Sequence, residues 1–362
     1  MVATGVTQAV LVVVVAAAAW VSAGARGISF GVRVPPEHEG DRVIAHSRRA
    51  YRAGIVATAV VCAAAAAILT ATGLAAWAAG PVAIMVLVAT GLFGIARRAV
   101  VTAKDHPRWY AAARPGTAVD TELRPRPEPF PWLWTAPALL VIAATATLGA
   151  VRYPGLPDRI ATHFDAAGSA DRTMPTTVLN AFAPVLIQLG LTAVLFGCVV
   201  FVLRGSSTVG PADPESSARS QRSATRLTAR AVLFLAAFVD LALFFIASQV
   251  WRGADLAGGV VAAAAVAFAV GVLGLIGTVA YAHRTDPPAA PADGAATLTH
   301  RDDDRHWRGG LIYVNPDDPA LLVPRRNGLG LTINFGHPWG WVVLAALLAV
   351  PVIGAVVGAL TT

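Results

Sequence analysis

The feature that most restricts what this chain can fold into is a series of long, unbroken apolar blocks, among them residues 6–21, 54–79, 231–250 and 258–282. A soluble chain spreads its apolar residues into stripes with a helical or strand period. Several runs here approach or exceed the roughly 20 residues a helix needs to cross hydrocarbon, where backbone polar groups must be satisfied within the segment. Composition agrees: 56% of the residues are hydrophobic and only 14% charged. The expected fold class is an all-α polytopic membrane protein of about eight transmembrane helices, with a small cytoplasmic β-meander before the last one. The expected spans are 6–24, 54–79, 81–96, 133–151, 178–203, 231–250, 258–282 and 339–360. The second and third are joined tightly at Gly80-Pro81 as a helical hairpin, and the third is the shortest.

A formal charge of +7 invites a nucleic-acid reading, but the basic residues sit between the apolar blocks rather than along one groove. Of the 28 Lys and Arg, all but Arg152, Arg159, Arg172 and Arg252 fall in alternate inter-span loops. Basic loops stay cytoplasmic. Both termini are therefore expected outside, the lipid bilayer is the expected partner, and no nucleic acid is. Lys104 is the only lysine and alanine is abundant, a composition that fits a GC-rich bacterial genome and hence a bacterial plasma membrane. Residues 1–10 carry no basic residue, so the first block reads as a retained helix rather than a cleaved signal peptide. Tryptophans at span ends, such as Trp20, Trp77, Trp134, Trp251 and Trp339, read as interface anchors. Cys62 and Cys198 fall inside apolar blocks and read as buried thiols with no disulfide between them.

This layout divides the chain into an N-terminal three-helix region (1–131), a helix–loop–helix unit (132–205) and a two-helix region (206–283). A Pro/Ala-rich linker (284–301), a cytoplasmic juxtamembrane module (302–341) and the final span (339–362) follow. Three segments could carry function. The first is the outer loop after the fourth span, dense in Pro, Gly and polar residues. His163 and Asp165 alternate with Phe164 there, so on extended backbone they share a face.

The pattern Leu156-Pro157-Asp158-Arg159-Ile160, Thr162-His163-Phe164-Asp165, Gly168 and Asp171-Arg172 resembles the uncharacterised bacterial membrane domain at the N-terminus of SdpI-type toxin-immunity proteins. The resemblance covers about 50 residues, the loop and its flanking helices. No copy of that family's C-terminal half is evident. The resemblance implies immunity to a secreted peptide toxin or sensing of an envelope peptide. Two compact, motif-rich segments on opposite faces of the membrane also suggest an extracellular peptide partner and a cytoplasmic protein partner, with an outer ligand surface at Pro157, Asp158, Arg159, His163, Phe164, Asp165, Gly168, Asp171 and Arg172.

The second segment is the module at 302–341. Two short apolar runs split by Asn327-Gly328 read as a β-hairpin, and the stretch Asn315-Pro316-Asp317-Asp318 reads as the preceding turn. It looks like a short uncharacterised module that ends other bacterial membrane proteins, and its candidate residues are Tyr313, Asn315, Pro316, Asp317, Arg325, Asn334, Phe335 and Gly336.

The third is Asp240, inside the sixth apolar block. A carboxylate at mid-bilayer costs on the order of 2.5 to 3.5 kcal/mol by insertion scales, so it faces the bundle and has a partner. Gln188 lies at the same depth at roughly 1.5 Å rise per residue. A neutral hydrogen bond between the two helices is the plain expectation; the sharper one is a proton-coupled transporter or permease using Asp240. No catalytic residues, metal site or cofactor are expected. His38-Glu39 lacks the second histidine of a zinc-protease helix, since position 42 is Arg42, and no nucleophile elbow or phosphate loop occurs. The expectation is therefore not an enzyme.

Overall fold

In the computed structural model the described residues are 2–24, 27–34, 38–74, 77, 79–104, 128–164, 170–204, 214–253, 257–285, 304–324, 331–342 and 344–345. The helices are α1 (Val2–Ser22), α2 (Arg42–Ala71), α3 (Gly80–Lys104), α4 (Ala136–Arg152), α5 (Val178–Ala181), α6 (Ala183–Arg204), α7 (Pro214–Val250) and α8 (Gly258–Thr285). The strands form four two-stranded antiparallel pairs. They are β1 (Ile28–Ser29) with β2 (Val32–Arg33), β3 (Arg159–Phe164) with β4 (Ala170–Pro175), β5 (Trp307–Arg308) with β6 (Ile312–Tyr313), and β7 (Leu322–Pro324) with β8 (Leu331–Ile333).

Among the described residues seven helices are long and apolar enough to cross a membrane. Their outward surfaces are apolar too: Val61, Leu87 and Leu140 are 67%, 71% and 69% exposed. An apolar exterior over this many helices suits hydrocarbon, not water. The chain is an all-α polytopic membrane protein. The eighth expected span is described only at its start, helical at 338–342 and 344–345; the rest lies outside the described residues.

Helix bounds depart from the apolar blocks in three places. α2 begins at Arg42 rather than near 54, because Ile44, Ser47, Tyr51 and Ile55 are buried at helical spacing and form a seam through the polar stretch. α3 runs for 25 residues and extends past the expected end at 96. α7 runs for 37 residues, about 55 Å at the usual rise, so its N-terminal part stands clear of a core roughly 30 Å thick. Four arginines assigned to the first loop (Arg42, Arg48, Arg49 and Arg52) therefore lie on α2, and the Arg52 guanidinium stands 5.0 Å from the Trp20 ring centroid.

α1 packs against α2, α3 and α8; α8 packs on α7, and α7 on α4 and α6. The α1–α3 half has a continuous apolar core of Val12, Phe30, Ile44, Ile55, Met85 and Val100. Phe30 enters it from the β1–β2 turn, with φ of 49°. Its ring stands edge-on to Tyr51 and Phe93 at 5.2 and 5.7 Å.

Two side-chain expectations are corrected. Trp251 ends a span but is buried rather than lying at the interface, and its Nε1 donates to Ala181 O at 2.8 Å. Cys62 is buried as expected, whereas Cys198 is exposed on the outside of the bundle. An apolar environment lies on both sides of a membrane helix, so an apolar block does not specify which face a thiol takes.

Candidate functional site

The segment between α4 and α6 is a β-hairpin, not the simple turn its Pro and Gly content suggests. β3 and β4 pair from Arg159 opposite Pro175 to Phe164 opposite Ala170, with His163 opposite Arg172 and register shifts beside His163. One face is seated on the bundle end: Ile160 is buried, and Phe164 joins Ile142, Val185, Ala247, Val250 and Trp251. The base is locked by backbone. Thr176 N donates to Asp158 O at 2.9 Å, Thr176 Oγ1 donates to Pro157 O, and Asn180 Nδ2 donates to Pro175 O at 2.8 Å. Arg159, Thr162, Arg172 and Thr173 are exposed on the hairpin. Arg159 lies across β4, donating to Thr173 O at 2.7 Å. Asp165 and Gly168 lie outside the described residues, and of Asp171 only its strand position is described.

Inside the bundle, Asp240 on α7 is fully buried. The expected link between Gln188 and Asp240 exists in altered form. Gln188 Nε2 donates to the Asp240 main-chain oxygen at 2.9 Å, not to its carboxylate, and also to Thr145 Oγ1 on α4 at 3.0 Å. The carboxylate is held by Thr192, whose Oγ1 donates to Asp240 Oδ2 at 2.7 Å. Gln188 and Thr192 are four residues apart on α6, hence on one face. Three helices therefore meet at one polar cluster. Thr145 and Thr192 were not readable from sequence, because a threonine in an apolar helix ordinarily bonds its own backbone.

On the opposite end, the 304–342 segment folds around Asn334, which is fully buried. Its Oδ1 accepts from Asn315 N and Gly336 N at 3.0 and 2.9 Å, and its Nδ2 reaches Asn315 O at 2.8 Å and Asp318 O at 3.0 Å. Tyr313 donates to Asp318 Oδ2, Asp317 N donates to Asn315 Oδ1, and Phe335 N donates to Tyr313 O. A Cβ on Gly336 would come within 2.5 Å of Pro316 N, so Gly336 is required by that approach. β7 and β8 pair as the expected hairpin, while Arg325 lies outside the described residues. Most of the candidate residues here hold the segment together rather than lining an open site.

The segment also docks. Asp304 pairs with Lys104 at the end of α3, and Arg33 N donates to its Oδ1 at 3.4 Å. Backbones touch where Gly31, at φ of 71°, meets Gly310, and a Cβ on Gly31 would lie 2.5 Å from Gly310 Cα. Arg97 caps the junction by donating to Phe30 O at 3.0 Å. Among the described residues no group of three or more His, Cys, Asp or Glu could hold a metal ion.

Two stretches match known families. Residues 140–188 match a domain of unknown function, DUF1648. That stretch contains Thr145, the whole β3–β4 hairpin and Gln188, while Thr192 and Asp240 fall beyond it. Residues 316–341 match a family of unknown function, DUF5808, which takes in β7, β8 and Asn334. The DUF1648 match is to the domain alone and brings no feature particular to SdpI-type proteins. No curated protein and no solved structure matches the chain.

Proposed function

We propose that this chain is a non-catalytic receptor in a bacterial plasma membrane, binding an envelope peptide on the β3–β4 hairpin in a sensing or toxin-immunity role. The supporting observation is that the hairpin is seated on the bundle end, with Phe164 packed there and Ile160 buried, while Arg159, Thr162, Arg172 and Thr173 remain exposed. A two-stranded sheet also has two outer edges whose backbone groups can pair with an extended peptide. By the distribution of basic loops the hairpin faces outward and the 304–342 segment faces the cytoplasm, where it would meet a protein partner. The test is a deletion strain complemented with wild type or with residues 159–175 replaced by a Gly/Ser linker, at matched membrane abundance. Loss of the phenotype supports recognition by the hairpin; a fully complementing linker variant sinks it.

A second reading is favoured by one observation, the sealed carboxyl of Asp240 between α4, α6 and α7. In it the chain is a proton-coupled permease. Asp240→Asn should then abolish solute flux in vesicles while leaving hairpin-dependent phenotypes intact, and unchanged flux would rule the permease out.

A further inference from the structure

The cluster at Asp240 has an uneven hydrogen-bond ledger. Thr145, Gln188 and Asp240 are fully buried and Thr192 is 4% exposed, so bulk water does not supply what they lack. Gln188 commits its amide nitrogen to Thr145 Oγ1 and Asp240 O. The Thr145 hydroxyl donates to Val141 O at 2.8 Å, and the Thr192 hydroxyl donates to Asp240 Oδ2. Every polar side-chain hydrogen of the four residues is thereby spent. Two oxygens remain, Asp240 Oδ1 and Gln188 Oε1, both buried and neither meeting a donor among the described residues.

An acceptor without a donor is costly when buried, and a buried carboxylate without a counter-charge costs far more. Among the described residues no counter-charge lies beside it. The helices packed on α7 carry their titratable groups at or toward their ends: Arg152 on α4, Cys198 and Arg204 on α6, and Tyr281, His283 and Arg284 on α8. On α7 itself the nearest is Arg230, ten positions away, and Arg252 follows its end. The two remaining oxygens, one anionic and one neutral, are therefore matched by a single positive charge. One carboxylate balances a monovalent cation, whereas a divalent ion would leave the site with uncompensated charge.

We infer that Asp240 and Gln188, supported by Thr192 and Thr145, form a binding site for one monovalent cation between α4, α6 and α7. The cation is taken either as a proton on Asp240 that donates to a neighbouring acceptor or as a desolvated sodium ion held by carboxylate, carboxamide and hydroxyl oxygens. Oxygen ligands of this kind suit hard cations. The inference is separate from transport, since a cation that only fastens three helices together satisfies it.

The experiment uses the full chain in lipid nanodiscs. Thermal unfolding is followed against sodium chloride at constant ionic strength with choline as the replacement cation. The protonated-carboxyl infrared band is followed against pH in the same preparation. If sodium is the occupant, the midpoint rises by several degrees across the binding range, as for any ligand bound by the folded state alone. If the proton is the occupant, a carboxyl band titrates and sodium has no effect. In either case Asp240→Asn removes the response, and Gln188→Met weakens it while the helical circular dichroism is retained. A wild-type protein with neither response overturns the inference, as does a response that survives in Asp240→Asn. Flux is not measured in this experiment, so a bound cation without transport would leave the site standing and the permease reading failed.

Discussion

The two halves of the bundle solve the same packing problem with different chemistry. α1, α2 and α3 close on an apolar core that ends in three aromatic rings, Phe30, Tyr51 and Phe93. α4, α6 and α7 meet at a carboxyl, a carboxamide and two hydroxyls. Both halves are built from Ala, Val and Leu, so the membrane does not demand polar groups at the second junction. Interhelical hydrogen bonds in membranes contribute modestly on average, and a buried carboxylate works against insertion. The difference teaches that close packing of such helices does not by itself call for a polar junction.

Substitutions in both halves can break or sharpen this contrast, each read by reversible unfolding in mixed micelles. The largest effect is expected from Phe30→Ala, which empties an edge-to-face cluster with a fully buried ring at its centre and should cost about 3–5 kcal/mol. A loss under one would mean that the N-terminal half does not depend on its aromatic core. Thr192→Val comes next, because it withdraws the donor to Asp240 Oδ2 without changing side-chain volume much, and should cost about 1–3 kcal/mol. Glu128→Gln weakens the bidentate pair with the half-exposed Arg226 and should cost no more than about 1 kcal/mol. Thr70→Val should be smallest, within about 0.5 kcal/mol. Thr70 is as buried as Thr192, but its hydroxyl bonds Ala66 O and Ala67 O of its own helix. Equal costs for Thr70→Val and Thr192→Val would erase the contrast, since the two differ chiefly in what the hydroxyl reaches.

The legible parts of this molecule were those set by long-range averages of the sequence. Seven of the apolar blocks are helices because hydrocarbon leaves the backbone few alternatives, and Asp240 and Gln188 stood out because polar side chains are rare within such blocks. The bounds of α2 and α7 were hidden, since their polar ends are amphipathic and read as loop when hydropathy alone is counted. The β1–β2 pair has only two residues per strand, too few to show alternation. The β3–β4 strands carried extended signals, but pairing between 159 and 175 is a tertiary choice that local pattern does not encode. Thr145 and Thr192 became site residues only through the rotation that brings α4 and α6 to α7.

The contact between Gly31 and Gly310 has a consequence for how the protein is made. The neighbouring Arg33–Asp304 hydrogen bond spans 271 positions of sequence. At about 5–20 residues per second of synthesis, the β1–β2 turn leaves the ribosome tens of seconds before its partner exists. Until then a glycine that tolerates only a bare backbone opposite it stands uncovered at the base of α1 and α2. The 304–342 segment thus acts as a late fastener, able to close only after the helices between it and the first hairpin have been inserted in the right order. A chain whose spans insert with one too few would deliver Asp304 to the wrong side of the membrane, away from Lys104, and leave the first hairpin uncovered.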